Sequence, residues 1–205
     1  MSALTFPLFP LGTVLFPDGV LPLQIFEVRY LDMISRCIAD GTPFGVVLLT
    51  EGGEVRTPEG QERFVQGGTL AAVQETTASA PGLLQVLCRG ASRFRILSSE
   101  RRPNGLWMAT TELMEDDRTI AVPSELQGAA DALDRVLAQL HDVPQERWPV
   151  LPPFKLDDCG WVANRWCDLL PLPNSEKQSL LMLDNPVIRL ELMHDLLEEH
   201  GYITS

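Results

Sequence analysis

Between Phe6 and Phe26 almost every position is apolar, "FPLFPLGTVLFPDGVLPLQIF", yet Pro7, Pro10, Pro17 and Pro22 interrupt the run. Proline lacks the N–H that a sheet ladder uses, so in sheets it sits at edges, strand starts or bulges. The run therefore divides into short bent strands, Leu4–Phe9, Gly12–Phe16 and Val20–Phe26, with a Pro17-Asp18-Gly19 turn before the last. Such strands suit a small barrel or a strongly curled sheet. In "EVRYLDMISRCIAD", Val28, Leu31, Ile34 and Ile38 recur at steps of three and four. This spacing predicts a helix over Glu27–Asp40 that stops at Gly41. "FGVVLLT" (44–50) predicts a buried strand and "EGGEVRTPEGQE" (51–62) a surface excursion. Four further strands are predicted at 68–79, 83–90, 92–100 and 105–113. Turns at Pro81-Gly82, Gly90 and Asn104-Gly105 separate them.

The period changes after "EDDRTIAVPS" (115–124). A helix is predicted from a Ser124 cap to about Leu140, followed by a proline-rich loop at 143–153. Asp157 or Asp158 caps the next helix, with Val162, Trp166 and Leu169 on one face. Ser175 and Gln178 form a capping box for a short helix to Leu183. Asp184 or Asn185 caps the last helix, with Pro186 in its first turn and Gly201 at its end. The fold class is α+β: a β-rich domain over 1–118 and a helical domain over 119–205.

Composition narrows the function classes. The chain is 45% hydrophobic and 21% charged, as in globular domains, and its net charge is -12. Long-range repulsion then disfavours nucleic acid and anionic lipid. Residues 1–118 hold 10 Arg against 14 Asp and Glu; residues 119–205 hold 6 Lys and Arg against 14. The first half is thus the less hostile to an acidic partner. No Lys or Arg precedes Arg29, so the opening run lacks a signal peptide's basic start, and its prolines break any spanning helix. Cys37, Cys88, Cys159 and Cys167 form no CxxC pair and are expected to be reduced thiols in a cytoplasmic protein.

Catalytic chemistry is not signalled. The two lysines, Lys155 and Lys177, lie near no Gly-x-Ser-x-Gly turn, and Lys177 reads as a solvated helix residue. His141, His194 and His200 make no HExxH or paired spacing. Cys159 and Cys167, eight apart, fit a buried apolar face better than a metal site. No phosphate-binding glycine pattern occurs, so no cofactor is expected. "MEDD" (114–117) reads as a solvated linker. Arg89, Arg93, Arg95, Arg101 and Arg102 form a basic cluster, with Arg93 and Arg95 on one strand face and Phe94 and Ile96 on the other. A solvated outer face is its ordinary reading; a site for acidic peptide or nucleic acid is the sharper one. Of the tryptophans in the helical half, Trp166 reads as core and Trp148, beside Pro149 in a loop, as partly exposed.

Several ordered motifs together resemble one family. Pro10-Leu11, Phe16-Pro17, Pro22-Leu23, Phe26-Glu27 and Arg29-Tyr30 are similar to the opening of the Lon protease N-terminal, or substrate-binding, domain. "GTLAAV" (68–73) and "GASRFRI" (90–96) resemble strands of that family, and "WVANRWCDLLPLPNSEKQSLLMLDNPVIRLELMHDLL" (161–197) its helical tail. The resemblance implies a PUA-like mixed β-barrel with one packed helix, then a C-terminal α-helical bundle. It implies a non-catalytic module that recognises unfolded or extended apolar polypeptides, as an adaptor or regulator beside a protease or chaperone. The ATPase module and Ser-Lys peptidase of full Lon proteases are not in this sequence, so no catalytic residue carries over. Phe16, Pro17, Leu21, Phe26 and Trp148 are the expected peptide-binding residues. RNA binding through the arginine cluster is the alternative. No metal or membrane role is expected.

Overall fold

The computed structural model describes residues 3–53, 62–144 and 147–203; the excursion expected at 51–62 falls largely outside them. The fold is mixed α+β, with one six-stranded sheet and five α-helices among the described residues. Two compact units divide the chain, Met1–Asp116 and Asp117–Ser205. None of the described helices is long and apolar enough to cross a membrane.

The first unit holds strands β1 (Leu4–Leu11), β2 (Val20–Ile25), β3 (Phe44–Glu51), β4 (Arg63–Ala80), β5 (Leu83–Arg101) and β6 (Trp107–Leu113), with helix α1 (Val28–Asp40) between β2 and β3. The strand order is β2-β5-β4-β3-β1-β6, and β5 also pairs with β6, so five of the strands form a closed ring of pairings. The β1–β3 pair is parallel and the others antiparallel. A parallel pair needs a long crossover, which β2 and α1 supply.

The prolines in β1 follow from this pairing. Leu4–Leu8 pairs with β6, and Leu8–Leu11 pairs with β3. Each half of β1 is therefore laddered on one side only, which leaves a side for a residue without N–H. The strand also buries both faces. Phe6 and Leu8 enter one core with Phe94 and Ile96; Phe9 and Leu11 enter the other with Tyr30, Ile34 and Phe44. Apolar residues at both strand parities are the result.

Three sequence expectations change here. Gly12–Phe16 is not a strand but a loop that buries Val14, Leu15 and Phe16. Gly90 is not a turn, because β5 runs straight through it. These two facts have one cause. The loop comes back onto β5, Gly90 N donates to Gly19 O (2.9 Å), and Asp18 N donates to Gly90 O (2.9 Å). A Cβ on Gly90 would lie 2.1 Å from the Phe16 carbonyl oxygen. The Pro17-Asp18-Gly19 turn does form, with Asp18 at φ 62 and Gly19 N bonded to Phe16 O. The third change concerns α1. Its buried residues are Arg29, Tyr30, Met33, Ile34 and Cys37, whereas Val28 and Ile38 face outward.

The second unit comprises α2 (Gln127–Ala138, entered by a 3-10 turn at Ser124–Leu126), α3 (Cys159–Leu169), α4 (Asn174–Leu181) and α5 (Pro186–Glu199). Asp158 caps α3 through Gly160 N, and Asn185 caps α5 through Val187 N and Ile188 N. Ser124 makes no cap, and the Ser175–Gln178 box does not form, because Ser175 already lies inside α4 behind Pro173. All of Cys159–Cys167 is buried, not one face of α3 alone. Asp117 corrects the linker reading of 114–117. Its carboxylate accepts from Arg189 Nη1 at 2.6 Å, and Arg189 also donates to Leu180 O, Asn164 Oδ1 and Leu183 O. A charge buried this deeply needs such partners.

The close approach at Gly90 gives a direct test. Gly90→Ala should destabilise the fold by roughly 1–3 kcal/mol, because backbone rather than a flexible side chain must move. Gly128→Ala in α2, where the new Cβ meets nothing nearer than His194 Nε2 at 3.8 Å, should instead gain about 0.5–1 kcal/mol. Urea denaturation of the two variants beside the parent chain measures both.

Candidate functional site

Along β2 the burial alternates. Leu21 and Ile25 face the core, while Pro22 and Gln24 face outward. Phe26 continues the outward parity and is 53% exposed; Val28, the first residue of α1, is 72% exposed. Beside them Phe9, Leu11, Leu23, Ile25, Phe26 and Tyr30 line a cleft of about 250 Å³. Its floor is rigid, because Phe9 stacks on Tyr30 with ring centroids 3.9 Å apart. Burial pushes the Tyr30 hydroxyl above its ordinary range, so it stays neutral.

A buried ion-pair system holds this surface in place. Arg29 Nε donates to Glu27 Oε2 (2.9 Å), Nη1 to Gly105 O (2.8 Å) and Nη2 to Glu62 Oε1 (3.0 Å). Its guanidinium lies 4.4 Å from the Tyr30 ring centroid. The other Glu62 oxygen accepts from Trp107 Nε1 at 2.6 Å. Glu27 sits between Phe26 and Val28, so locking its side chain fixes the backbone that presents both. What the arrangement offers chemically is a preformed apolar surface with a small cleft. Such patches mark partner sites.

Residues 5–199 match the family described as the ATP-dependent protease La (LON) substrate-binding domain. The chain belongs to that family. It is 31% identical to the crystal structure of a Lon N-terminal domain protein from Xanthomonas campestris, with a TM-score of 0.72 over 93% of this chain and 96% of that one. The N-terminal domain of Mycobacterium avium complex Lon protease shares the fold at 19% identity, with a TM-score of 0.60 over 96% of this chain and 99% of that one. Lon protease 2 of Desulfotalea psychrophila is 26% identical over 197 residues, which are 94% of this chain and 24% of that protein. The chain thus spans about a quarter of the length of that relative.

In this LON substrate-binding domain the expected peptide-binding residues separate. Phe16 (0% exposed) and Leu21 are core, so they can support a surface but not offer one. Pro17 is half-buried in its turn. Only Phe26 stands out into solvent. Alternation in "VLPLQIF" puts Leu21 and Phe26 on opposite faces, and that signal separates them. Val28 was missed, because its helical spacing read as core. Trp148 belongs to the second unit. There it is half-buried, donates to Val143 O (2.7 Å) and stacks on Phe154, whose ring in turn tilts against Trp161.

The arginine cluster is not a basic stripe. Arg93 and Arg95 lie two apart in an unbroken register, but Arg93 is buried, contrary to the solvated reading, and donates to Glu115 O (3.2 Å). Arg89 pairs with Asp18 (3.3 Å) and Arg102 with Glu100 (3.1 Å). Arg101 lies 3.8 Å from Glu62, and Arg95 stands opposite Glu112 in the β5–β6 ladder. Four of the five thus have an acidic neighbour. One metal-compatible group occurs among the described residues, His194, Asp195 and Glu198, on successive turns of α5. Lys177 is not merely solvated: its Nζ donates to Asp168 O at 3.3 Å.

All four cysteines are free and buried. Burial raises each thiol, Cys88 and Cys167 to about 12 and Cys159 to about 11, with Cys37 raised as well. At pH 8 a thiol near 12 holds about a thousandfold less thiolate than an ordinary one, and burial also blocks access. A chromogenic disulfide reagent at pH 8 should therefore find almost no reactive thiol in the native chain. In concentrated urea it should titrate all four at the ordinary rate.

Proposed function

We propose that this chain is a non-catalytic module that binds unfolded or extended apolar polypeptide segments, through the Phe26–Val28 surface and the cleft beside it. The observation that carries this reading is a preformed, exposed apolar surface on a chain of the LON substrate-binding family. The closed ring of pairings supports a PUA-like mixed barrel, with a domain boundary near 118–119 and a helical bundle beyond it. In the cell the module would act in the cytoplasm as an adaptor or regulator in protein quality control, handing segments to a protease or chaperone. No step of that role needs a nucleophile or cofactor from this chain.

Binding an extended segment loses conformational entropy, so most of the contact energy is offset. Affinity in the micromolar range, about -8 kcal/mol, is the scale to expect. RNA binding through Arg89–Arg102 is the second reading, and the acidic neighbours of these arginines weaken it. Fluorescence anisotropy with unfolded apolar peptides and with single-stranded RNA, at low and high salt, separates the two. Peptide binding should survive high salt, since screening acts on charges. Phe26→Ser with Val28→Ser should weaken it about tenfold while leaving the melting temperature within a few degrees, because neither side chain is core. Binding of RNA alone, abolished by salt, would show that the apolar reading is wrong.

A further inference from the structure

Strand β4 is laddered unequally along its length. Its first half pairs with β3 from Arg63 to Ala71, and there that pairing stops. From Ala72 to Ala80 it pairs with β5 alone among the described residues. The Gln74 side chain donates from Nε2 to the Ala72 carbonyl at 3.3 Å. Register shifts fall between Val73 and Glu75 and between Ala78 and Ala80, leaving Glu75–Ala78 as a regular run with one open side. An open strand side is a template for an extended chain.

Proline and basic side chains, two of the usual protections, are missing from this side. "AVQETTASA" contains no proline, no lysine and no arginine, and Gln74–Ala80 is exposed throughout. The sheet's other edge, β2, is six residues long and carries Pro22. Against β4 lies a cleft of about 340 Å³, lined by Cys37, Ile38 and Pro43 on one wall and Ala72, Val73 and Glu75 on the other. Ile38 is 49% exposed at its rim. The charge of its lining is negative. Glu75 lines the cleft, exposed Asp40 ends α1 between lining residues Ile38 and Gly41, and the lining holds no basic residue. The C-terminal end of α1, with no basic residue in its last turn, adds negative potential.

We propose that the Ala72–Ala80 side of β4 takes an extended, basic-apolar segment of unfolded polypeptide as an added strand. An apolar side chain of the segment enters the Cys37–Val73 cleft, and a Lys or Arg sits at Glu75. A strand added there runs about 4.8 Å from β4, and its alternate side chains face the cleft. The inference rests on the proposed binding of unfolded polypeptide by this unit, and adds the main-chain contact and the charge preference.

The test uses the full chain and a labelled peptide of roughly ten residues in which Val and Lys take turns along one strand face, with Thr at the positions between, about 33 Å when extended. Hydrogen exchange of amides within Ala72–Ala80 should slow when the peptide binds. N-methylation of one alternate set of peptide amides should weaken binding about tenfold or more, from several lost hydrogen bonds, while the other set leaves it unchanged. A Val–Glu peptide should bind more weakly, and Glu75→Lys should narrow or reverse that preference. Binding with unchanged exchange at 72–80 and no effect of either methylated set would overturn the proposal, yet leave the Phe26–Val28 reading standing. A peptide-free dimer already protected at 72–80 would assign the edge to a second copy and overturn it as well. Failure of both peptides to bind would sink this proposal and the reading beneath it.

Discussion

A buried guanidinium keeps its proton, so the chain around it must bring acceptors to its five N–H donors. Each unit of this protein buries two arginines, and in each unit one of them draws its acceptors from several elements at once. In the first, Arg29 draws Glu27, Glu62 and the Gly105 carbonyl to a single point. The start of α1, the entry to β4 and the β5–β6 turn are thereby fixed against one another. In the second, Arg189 gathers Asp117, Asn164 and the carbonyls of Leu180 and Leu183. Removing one acceptor from such a set leaves a charge without compensation, and the loss runs to several kcal/mol. Satisfying it constrains direction as well as distance, which dispersion between apolar side chains does not.

This matters for the surface the first unit displays. Phe26 and Val28 flank Glu27, and Glu27 is bound to Arg29. An exposed phenylalanine on a loose loop would lose entropy on contact with a partner. Here the backbone beneath it is already ordered, so less remains to be lost. The same logic extends inward, where Phe9 and Tyr30 stack under the cleft and β1 divides its side chains between two cores.

Local chemistry was the legible part of the sequence. Asn185 and Pro186, the Gly41 stop, and the turns at Asp18 and Gly82 follow from residue type alone, and the structure has them where expected. The family was legible too, from the spacing of its motifs. What sequence reasoning mislaid are partners distant along the chain. Gly90 reads as a turn until the Phe16 carbonyl is seen against it. Asp117 reads as linker until Arg189, 72 residues on, reaches it. Val28 reads as core because helical spacing reports apolar residues without saying which neighbour covers them, and the buried face of α1 does not include it. Arg93 reads as solvent-facing because alternation alone does not register that the chain at Glu115 returns to take its donor.

The β1–β6 pairing has a consequence for synthesis on the ribosome. Thr111 Oγ1 bonds the Leu4 carbonyl across a separation of 107 residues. At about 5–20 residues per second, the first strand waits between roughly 5 and 20 s for its antiparallel neighbour to be made. Until then β1 can hold only its short parallel ladder to β3, and the ring of strands stays open with apolar residues of both cores uncovered. A nascent chain in that interval carries the same kind of apolar surface that, under the proposed function, the finished protein would take up in others.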